Sequence, residues 1–439
     1  MAESYKSREQ RVPSGRLSRF SRFGALTTGI LGNVAIGGAR AYAAGQRPRL
    51  NDLLLTPGNA TRLTRELANM RGAAMKMGQL LSMEAGDFIA PELSEILAHL
   101  RSDAHTMPGR QLKSVLVANW GADFLKQFRK FDVHPIAAAS IGQVHRAVTR
   151  DGRDLAIKVQ YPGVRGSIDS DLRNVASLLR LSGLLPRDLD IAPMLEEARR
   201  QLHEEADYQR EGRALSDFGR LLENDQAFLV PALHGDLTTT DILAMDYVSG
   251  EPIETLKEAP QEVRDHVTTQ LLTLLLQELF TFQLMQTDPN FANYRYQEDT
   301  GRIVLLDFGA TRSFAPQLAQ KFHHLLRAGL HKDRAGIRAA AIDIGYFSHS
   351  TAEHHQTQLL DMMEMALEPL TCPGTFDFGD STLPARLREA GMAFGENRDF
   401  WEIPPMDTLF LQRKIGGLYL LATRLHARVD MPSLLAPHL

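Results

Sequence analysis

Asp288-Pro-Asn-Phe-Ala-Asn293, followed after an apolar run by Leu306-Asp307-Phe308-Gly309, is the stretch that decides the fold. Mg-dependent phosphoryl transfer needs these residue types in this order. One carboxylate orients an attacking oxygen, and a carboxamide and a second carboxylate hold the Mg ions that bridge the nucleotide phosphates. Arg302-Ile-Val-Leu-Leu306 reads as a buried strand and Asn293-Tyr-Arg-Tyr-Gln297 as its partner across the turn Glu298-Asp-Thr-Gly301. The polar groups therefore fall on both sides of a hairpin. Upstream, Val263 to Gln286 is densely apolar without Pro or Gly, which predicts one buried helix leading into the Asp288 loop. A second Asp-Phe-Gly, at Asp377 to Gly379, stands alone in a Pro/Gly-rich stretch and is read as a chance recurrence.

A phosphate-binding lysine is required upstream, and Leu155-Ala-Ile-Lys158-Val-Gln160 supplies one on an apolar strand, as V-A-I-K does in protein kinases. The preceding strand, Ile141 to Thr149, joins it through Asp151-Gly152, a two-residue hairpin signal. A lysine at a strand end is by itself usually a solvated edge charge. Its place ahead of Asp288, Asn293 and Asp307 is what makes Lys158 a nucleotide ligand. The loop before this hairpin should be glycine-rich so that backbone N–H groups can wrap phosphates. Here it reads Ala137-Ala138-Ala139-Ser140-Ile141-Gly142-Gln143-Val144, in which only Gly142 remains. Alanine resists positive φ, so the nucleotide pose or preference is expected to differ from that of an ordinary protein kinase.

With these strings in hand the chain resembles the UbiB family of atypical kinases, the coenzyme Q-associated group. The resemblance rests on Lys76-Met-Gly78-Gln79, Ala137 to Val144, Ala156-Ile-Lys158-Val-Gln-Tyr-Pro-Gly163, Glu205-Ala-Asp207-Tyr208, Gln286-Thr-Asp288-Pro-Asn-Phe-Ala-Asn293 and Leu306-Asp307-Phe-Gly-Ala-Thr-Arg312. They stand in the family's order from about residue 10 to the end.

The resemblance implies an α+β, bilobal protein-kinase-like fold with a small N-lobe antiparallel sheet, a helical C-lobe and an N-terminal helical extension. Its implied divisions are a basic, Gly-rich segment at 1–45, the extension at 46–130, the N-lobe with a helical insert at 131–250, and the C-lobe at 251–439. It implies ATP or ADP with Mg as cofactors. Lys158 and the Ala137, Ala138, Ala139 and Ser140 loop would sit at the nucleotide, Asn293 and Asp307 at the metal, and Asp288 at the nucleophile.

In this family the Lys-x-Gly-Gln element lies across the cleft where a protein kinase admits its peptide, so Lys76 and Gln79 would face the nucleotide. Thr61 to Met83 reads as one helix, on which i and i+3 share a face. Glu205, on a predicted helix from Ala192 to Leu215, is the candidate acid that orients a lysine, either Lys158 or Lys76. Glu211 competes for the same role, and the sequence leaves both pairings open.

After Arg312 the chain passes almost at once into a helix, Gln317 to Leu330, with no long activation loop and no Ala-Pro-Glu string. A protein substrate has little to dock on. The expected function is an atypical kinase or ATPase supporting ubiquinone biosynthesis, acting on or responding to a quinone precursor or lipid. The alternative is a non-catalytic, nucleotide-switched scaffold for lipid-modifying enzymes. A small-molecule phosphotransferase ranks below both.

Composition fits this reading. At 439 residues, with 44% hydrophobic and 23% charged residues, the chain suits two lobes plus an extension. A net charge of -4 argues against nucleic acid as a partner, and one cysteine, Cys372, excludes an internal disulfide and suits a reducing compartment. The paired histidines at 323–324 and 354–355 lack a metal-binding pattern and are read as surface or capping groups.

Lys6, Arg8, Arg11, Arg16, Arg19 and Arg22 precede an apolar but Gly-rich run, Gly24 to Ala44, that contains Arg40. That run is a poor transmembrane helix. Peripheral membrane contact and a solvated tail with a packed helix both remain open, and a homodimer is a further partner expectation. The expected location is the cytoplasm, peripheral to the inner face of the membrane in a bacterium, or the mitochondrial matrix in a eukaryote. Leu359 to Leu370 and Leu409 to Val429 are the clearest remaining helices, Met362, Met363 and Met365 are expected in the core, and Cys372 to Pro384 is expected as a surface loop. Arg413 and Lys414 ahead of Gly416-Gly417 suggest no role from sequence alone.

Overall fold

A computed structural model describes residues 72–74, 76–78, 106–182, 191–396 and 404–439. The basic N-terminal segment, Gln79 and most of the expected 61–83 helix lie outside them. Gly72 to Ala74 and Lys76 to Gly78 are helical, as expected there. The chain divides into two compact units. Among the described residues the first comprises those up to 212 and 233–247, and the second comprises 213–232 and 248–439.

The first unit is built on an antiparallel sheet in the order Phe128–Phe131, Gly142–Thr149, Asp154–Gln160, Ile242–Asp246, with Ala137–Ala138 beside Gly142–Thr149. The hairpin read at Asp151-Gly152 is present, but its turn runs from Arg150 to Gly152 rather than over two residues: the Thr149 N–H donates to the Arg153 carbonyl at 3.0 Å, and Gly152 takes φ 95, a conformation that costs glycine little. Strand alternation sorts the side chains of Asp154–Gln160. Leu155, Ile157 and Val159 enter a core with Leu112, Leu116, Phe124, Phe128, Ile242 and Ala244. Each such burial contributes about 1.5–3 kcal/mol. Lys158 and Gln160 fall on the opposite face, which is also buried.

Gly142 earns its place through packing. A Cβ there would lie 2.4 Å from the Val159 carbonyl oxygen and 2.8 Å from the Tyr208 hydroxyl. Gln143 of the same string is structural too: its Oε1 accepts the Met107 N–H at 2.9 Å and its Nε2 faces His145 Nε2 at 2.8 Å. His145 Nδ1 meets the Asp132 carbonyl at 2.8 Å, which makes Nδ1 the protonated nitrogen and Nε2 the acceptor of the Gln143 amide.

Burial lowers the His145 pKa to about 4. The unfolded imidazole titrates near 6.5, so between those values the unfolded chain holds more protons. The stability that neutral His145 contributes is complete above pH 6.5 and is lost as pH falls towards 4, by about 3 kcal/mol. Urea unfolding of wild type and His145→Gln across this range should show the shallower pH slope in the variant. Equal slopes would remove His145 from the acid response.

The expected single helix from Ala192 to Leu215 is two helices, Ala192–Glu205 and Tyr208–Leu221. Asp207 breaks it: its carboxylate accepts the N–H groups of Gln209 and Arg210, satisfying donors at the start of the second helix.

In the second unit, Arg302–Leu305 pairs antiparallel with Tyr294–Gln297 and parallel with Phe228–Leu229, and Glu251–Pro252 flanks Tyr294–Gln297. The hairpin predicted from sequence is present, with Gly301 at φ 68. The expected 263–286 helix is shorter. It spans Gln261–Gln277, passes through a π turn at Glu278–Phe282, and gives way to strand Leu284–Gln286 paired with Thr311–Ser313. The Glu278 carboxylate accepts the Gln286 N–H at 3.1 Å, and Gln283 at φ 52 reverses the chain. Apolar periodicity does not distinguish this buried strand from another helical turn.

The remainder is mostly helical. Pro316–Leu330 follows the Thr311–Ser313 strand directly. Glu353–Ala366 and Glu368–Thr371 replace the expected 359–370 helix, and Met406–Arg424, ending before strand Arg428–Val429, replaces 409–429. The Met362, Met363 and Met365 side chains are half-buried rather than core. The 372–384 stretch is not simply a loop: Phe376–Asp377 pairs with Arg428–Val429, and Phe378 is buried between them and Tyr419. Asp377 caps the turn at Gly379 and pairs with Arg428, a structural use of the second Asp-Phe-Gly. His355 is buried, contrary to the surface reading.

Candidate active site

Each unit carries its own group of polar residues. In the first, the open choice between two lysines and two glutamates is resolved. Lys158 Nζ donates to both Glu211 oxygens, at 2.7 and 2.9 Å, and lies 5.0 Å over the Tyr208 ring. Lys76 pairs with Glu205, whose other oxygen accepts the Ser140 hydroxyl at 3.4 Å. Glu205 therefore holds the extension lysine, and Glu211 is the acid that orients Lys158. Sequence reasoning placed Glu205 first because it belongs to the family string. The break at Asp207 is what turns Glu211 towards Lys158, and it is local capping chemistry that spacing alone does not show.

The helix carrying Lys76 packs on the Ala-rich loop: a Cβ on Gly72 would come 2.9 Å from Ile141 Cγ2. Ala137 and Ala138 form an exposed short strand, paired with Val144 and Gln143, and the Ala139 N–H donates to the Gly142 carbonyl at 2.9 Å. The Ala139 donor is thus already engaged within the loop. Gln79 lies outside the described residues.

In the second unit, Asn293 ends a short turn, and the Leu306 N–H donates to its carbonyl at 3.0 Å, which brings Asn293 next to Asp307 across the hairpin. The Asn293 side-chain N–H donates to Asp288 Oδ2 at 3.2 Å and to the Asp288 carbonyl at 3.3 Å. Its amide oxygen is left as the acceptor. Asp307 Oδ1 accepts the Gly309 N–H at 2.9 Å, and the Phe308 ring lies tilted against Phe218 at 4.9 Å, both fully buried. Packing of Phe308 thereby fixes where Asp307 points.

One carboxylate and one amide oxygen are hard ligands that fit Mg, which keeps several waters and completes its shell with substrate phosphates. Among the described residues no group of three or more His, Cys, Asp or Glu gathers to hold a metal alone.

The Asp288 loop is held by residues that sequence reasoning left without a role. Arg413 Nη2 donates to Asp288 Oδ1 at 2.5 Å. Lys414 Nζ donates to the Gln286 carbonyl at 2.8 Å, to Gln286 Oε1 at 3.1 Å and to the Tyr294 hydroxyl at 3.0 Å, with Glu278 Oε2 3.5 Å away. Gly417 lies against Pro289 so closely that a Cβ would stand 2.2 Å from Pro289 Cβ.

Burial opposes charge on Lys414, but the Glu278 carboxylate and Tyr294 outweigh it and raise its pKa. Burial likewise raises the Glu278 carboxyl, with Lys414 pulling the other way. A usable signal was present in the sequence. Glu278 is the charged residue set into Leu271 to Leu279, and Arg413 and Lys414 are those set into Leu409 to Leu418. A charge on a core-facing position calls for a partner.

Comparison with known proteins agrees with this arrangement. Residues 99–341 match the ABC1 atypical kinase-like domain family. The chain is 39% identical over 426 residues to the mitochondrial atypical kinase COQ8 of Saccharomyces cerevisiae, covering 96% of this chain and 84% of the relative. It is 35% identical to the mitochondrial atypical kinase COQ8B of Rattus norvegicus, over 97% of this chain and 81% of the relative. Among solved structures, a Mycobacterium tuberculosis protein, Rv3197, determined with erythromycin, shares the fold at a TM-score of 0.62 and 23% identity, covering 87% of this chain and 96% of that one. The kinase-like α+β class read from the sequence holds. Among the described residues no helix is long and apolar enough to cross a membrane.

Proposed function

For a chain that belongs to the ABC1 atypical kinase-like family, we propose an Mg-ATP-dependent phosphotransferase or ATPase that supports ubiquinone biosynthesis and acts on, or responds to, a lipid-like hydroxyl compound. The observation that carries the phosphoryl-transfer reading is the second unit's group: the Asp288 carboxylate hydrogen-bonded to Asn293, and Asn293 bonded through its backbone beside Asp307.

Lys158, oriented by Glu211, binds the α/β-phosphates. Asn293 and Asp307 would hold Mg, which would supply charge neutralisation for the transferring phosphoryl group. Asp288 orients the acceptor hydroxyl and receives its proton. The preference for a small acceptor is supported by the short passage from Thr311–Ser313 to the helix at Pro316, which offers no segment to bind an extended peptide. The proposed setting is mitochondrial, following the relatives' names, with membrane contact peripheral.

The test is ATP hydrolysis with Mg, with and without anionic liposomes and a prenylated phenol, using Asp307→Asn as the blank. Turnover that rises with lipid or phenol is expected, together with loss of Mg-nucleotide binding in Asp307→Asn. Intact Mg-nucleotide binding in that variant would dismiss the metal assignment. Tight nucleotide binding without turnover under every condition would replace the enzyme with a nucleotide-switched scaffold.

A further inference from the structure

Arg413 lies 125 positions from Asp288 in the chain, yet its guanidinium reaches Asp288 Oδ1 at 2.5 Å while Asn293 holds Oδ2 at 3.2 Å. Both carboxylate oxygens are thus gripped from different elements, and this fixes the plane of the group. A carboxylate offers about four lone-pair sites, so acceptor capacity remains for a hydroxyl. An ordinary surface ion pair would hold little, because two long side chains swing freely.

This pair differs because the Met406–Arg424 helix is registered on the same loop at two neighbouring points. One turn of that helix presents Lys414, which donates to the Gln286 carbonyl two residues before Asp288, and Gly417, whose missing Cβ admits Pro289 immediately after it. Arg413 has no freedom to slide along the loop. Its side chain and that of Asp288 are also largely screened, at 18% and 25% exposure.

We propose that Arg413 is a positioning residue of the phosphoryl-transfer site: it holds the Asp288 carboxylate in the one orientation from which it meets an acceptor hydroxyl. This rests on the phosphotransferase reading of Asp288. A guanidinium suits the task because its planar fork sets direction as well as charge, which a lysine does not. Arg413 touches neither nucleotide nor metal ligand in this scheme, so its loss acts on the chemical step rather than on Mg-ATP binding.

The experiment compares wild type, Arg413→Gln, Arg413→Lys, Asp288→Asn and the double variant Arg413→Gln/Asp288→Asn as full chains. Mg-ATP turnover is measured alongside amide hydrogen exchange over residues 284–293. Arg413→Gln is expected to lower kcat by about 100-fold, the scale set by a misplacement of about 1 Å in a reacting group, with KM for Mg-ATP within about threefold. Arg413→Lys should recover part of that loss.

In the Asp288→Asn background Arg413→Gln should add nothing further, because the group it positions is already disabled. A full, additive loss in that background, or wild-type kcat in Arg413→Gln, would overturn the proposal. Amide exchange separates this failure from failure of the functional reading. Faster exchange across 284–293 in Arg413→Gln supports the positioning role even if no variant, wild type included, turns over ATP. Unchanged exchange removes it whatever the turnover.

Discussion

Replacing Lys414 with methionine is expected to lower the unfolding free energy of the second unit by about 3–5 kcal/mol, the cost of breaking a buried ion pair from one side. Lys414 and Glu278 are both almost wholly excluded from water, and the ammonium also serves the Gln286 carbonyl, the Gln286 amide oxygen and the Tyr294 hydroxyl. Methionine matches much of the lysine volume, so little of the loss is a cavity. The cost is the Glu278 carboxylate and these oxygens left without their donor.

The double variant Lys414→Met/Glu278→Leu should regain only part of that loss: it removes the unpaired carboxylate, but the Gln286 carbonyl and Tyr294 hydroxyl still lack the ammonium and the Gln286 N–H loses its acceptor. Denaturant unfolding followed by circular dichroism measures both. A single-variant loss below about 1 kcal/mol would mean that water reaches Glu278 and that the pair is not the anchor of this loop.

That pair also shows where sequence reading stops. Strings that specify chemistry by residue type and spacing were legible: the Asp288 loop, the Asn293 to Asp307 hairpin and the lysine strand all stand where their patterns place them. They are legible because each depends on neighbours a few residues away, through a turn, a strand period or a cap. What was missed depends on long-range partners. Glu278 lay inside a run read as uninterrupted helix, and only its hydrogen bond to the Gln286 N–H shows why that run turns through a π segment into a strand.

Arg413, Lys414 and Gly417 stood close together without a role because their partners, Asp288, Gln286 and Pro289, are more than 120 positions away. The Ala-rich string departs from a glycine loop in sequence. Its surviving glycine and glutamine nonetheless serve packing and the His145 network. A motif residue in a functional string is therefore not always a functional group.

Changing Glu211 to glutamine should weaken Mg-ATP binding by about 30-fold, whereas Glu205→Gln should change it by less than about threefold. The first figure is one charge-assisted contact of about 2 kcal/mol converted to affinity. The difference follows from the pairing. Glu211 is buried and accepts Lys158 on both oxygens, so its carboxylate sets the direction of the lysine that meets the phosphates in the proposed mechanism.

Glutamine keeps the size and one acceptor but leaves the Lys158 ammonium beside a neutral amide instead of a carboxylate, 5.0 Å from the Tyr208 ring. The carboxylate that set its direction is gone, and the phosphates lose an aligned donor. Glu205 holds Lys76 instead, and its loss loosens the helix over the Ala-rich loop while Lys158 stays in place. Calorimetric titration of Mg-ATP into both variants decides the matter. Thermal melts run in parallel guard against a folding loss being read as a binding loss, because either substitution breaks a shielded pair. A larger fall in affinity for Glu205→Gln than for Glu211→Gln would reverse the assignment of acids to lysines and make the extension lysine the principal phosphate ligand.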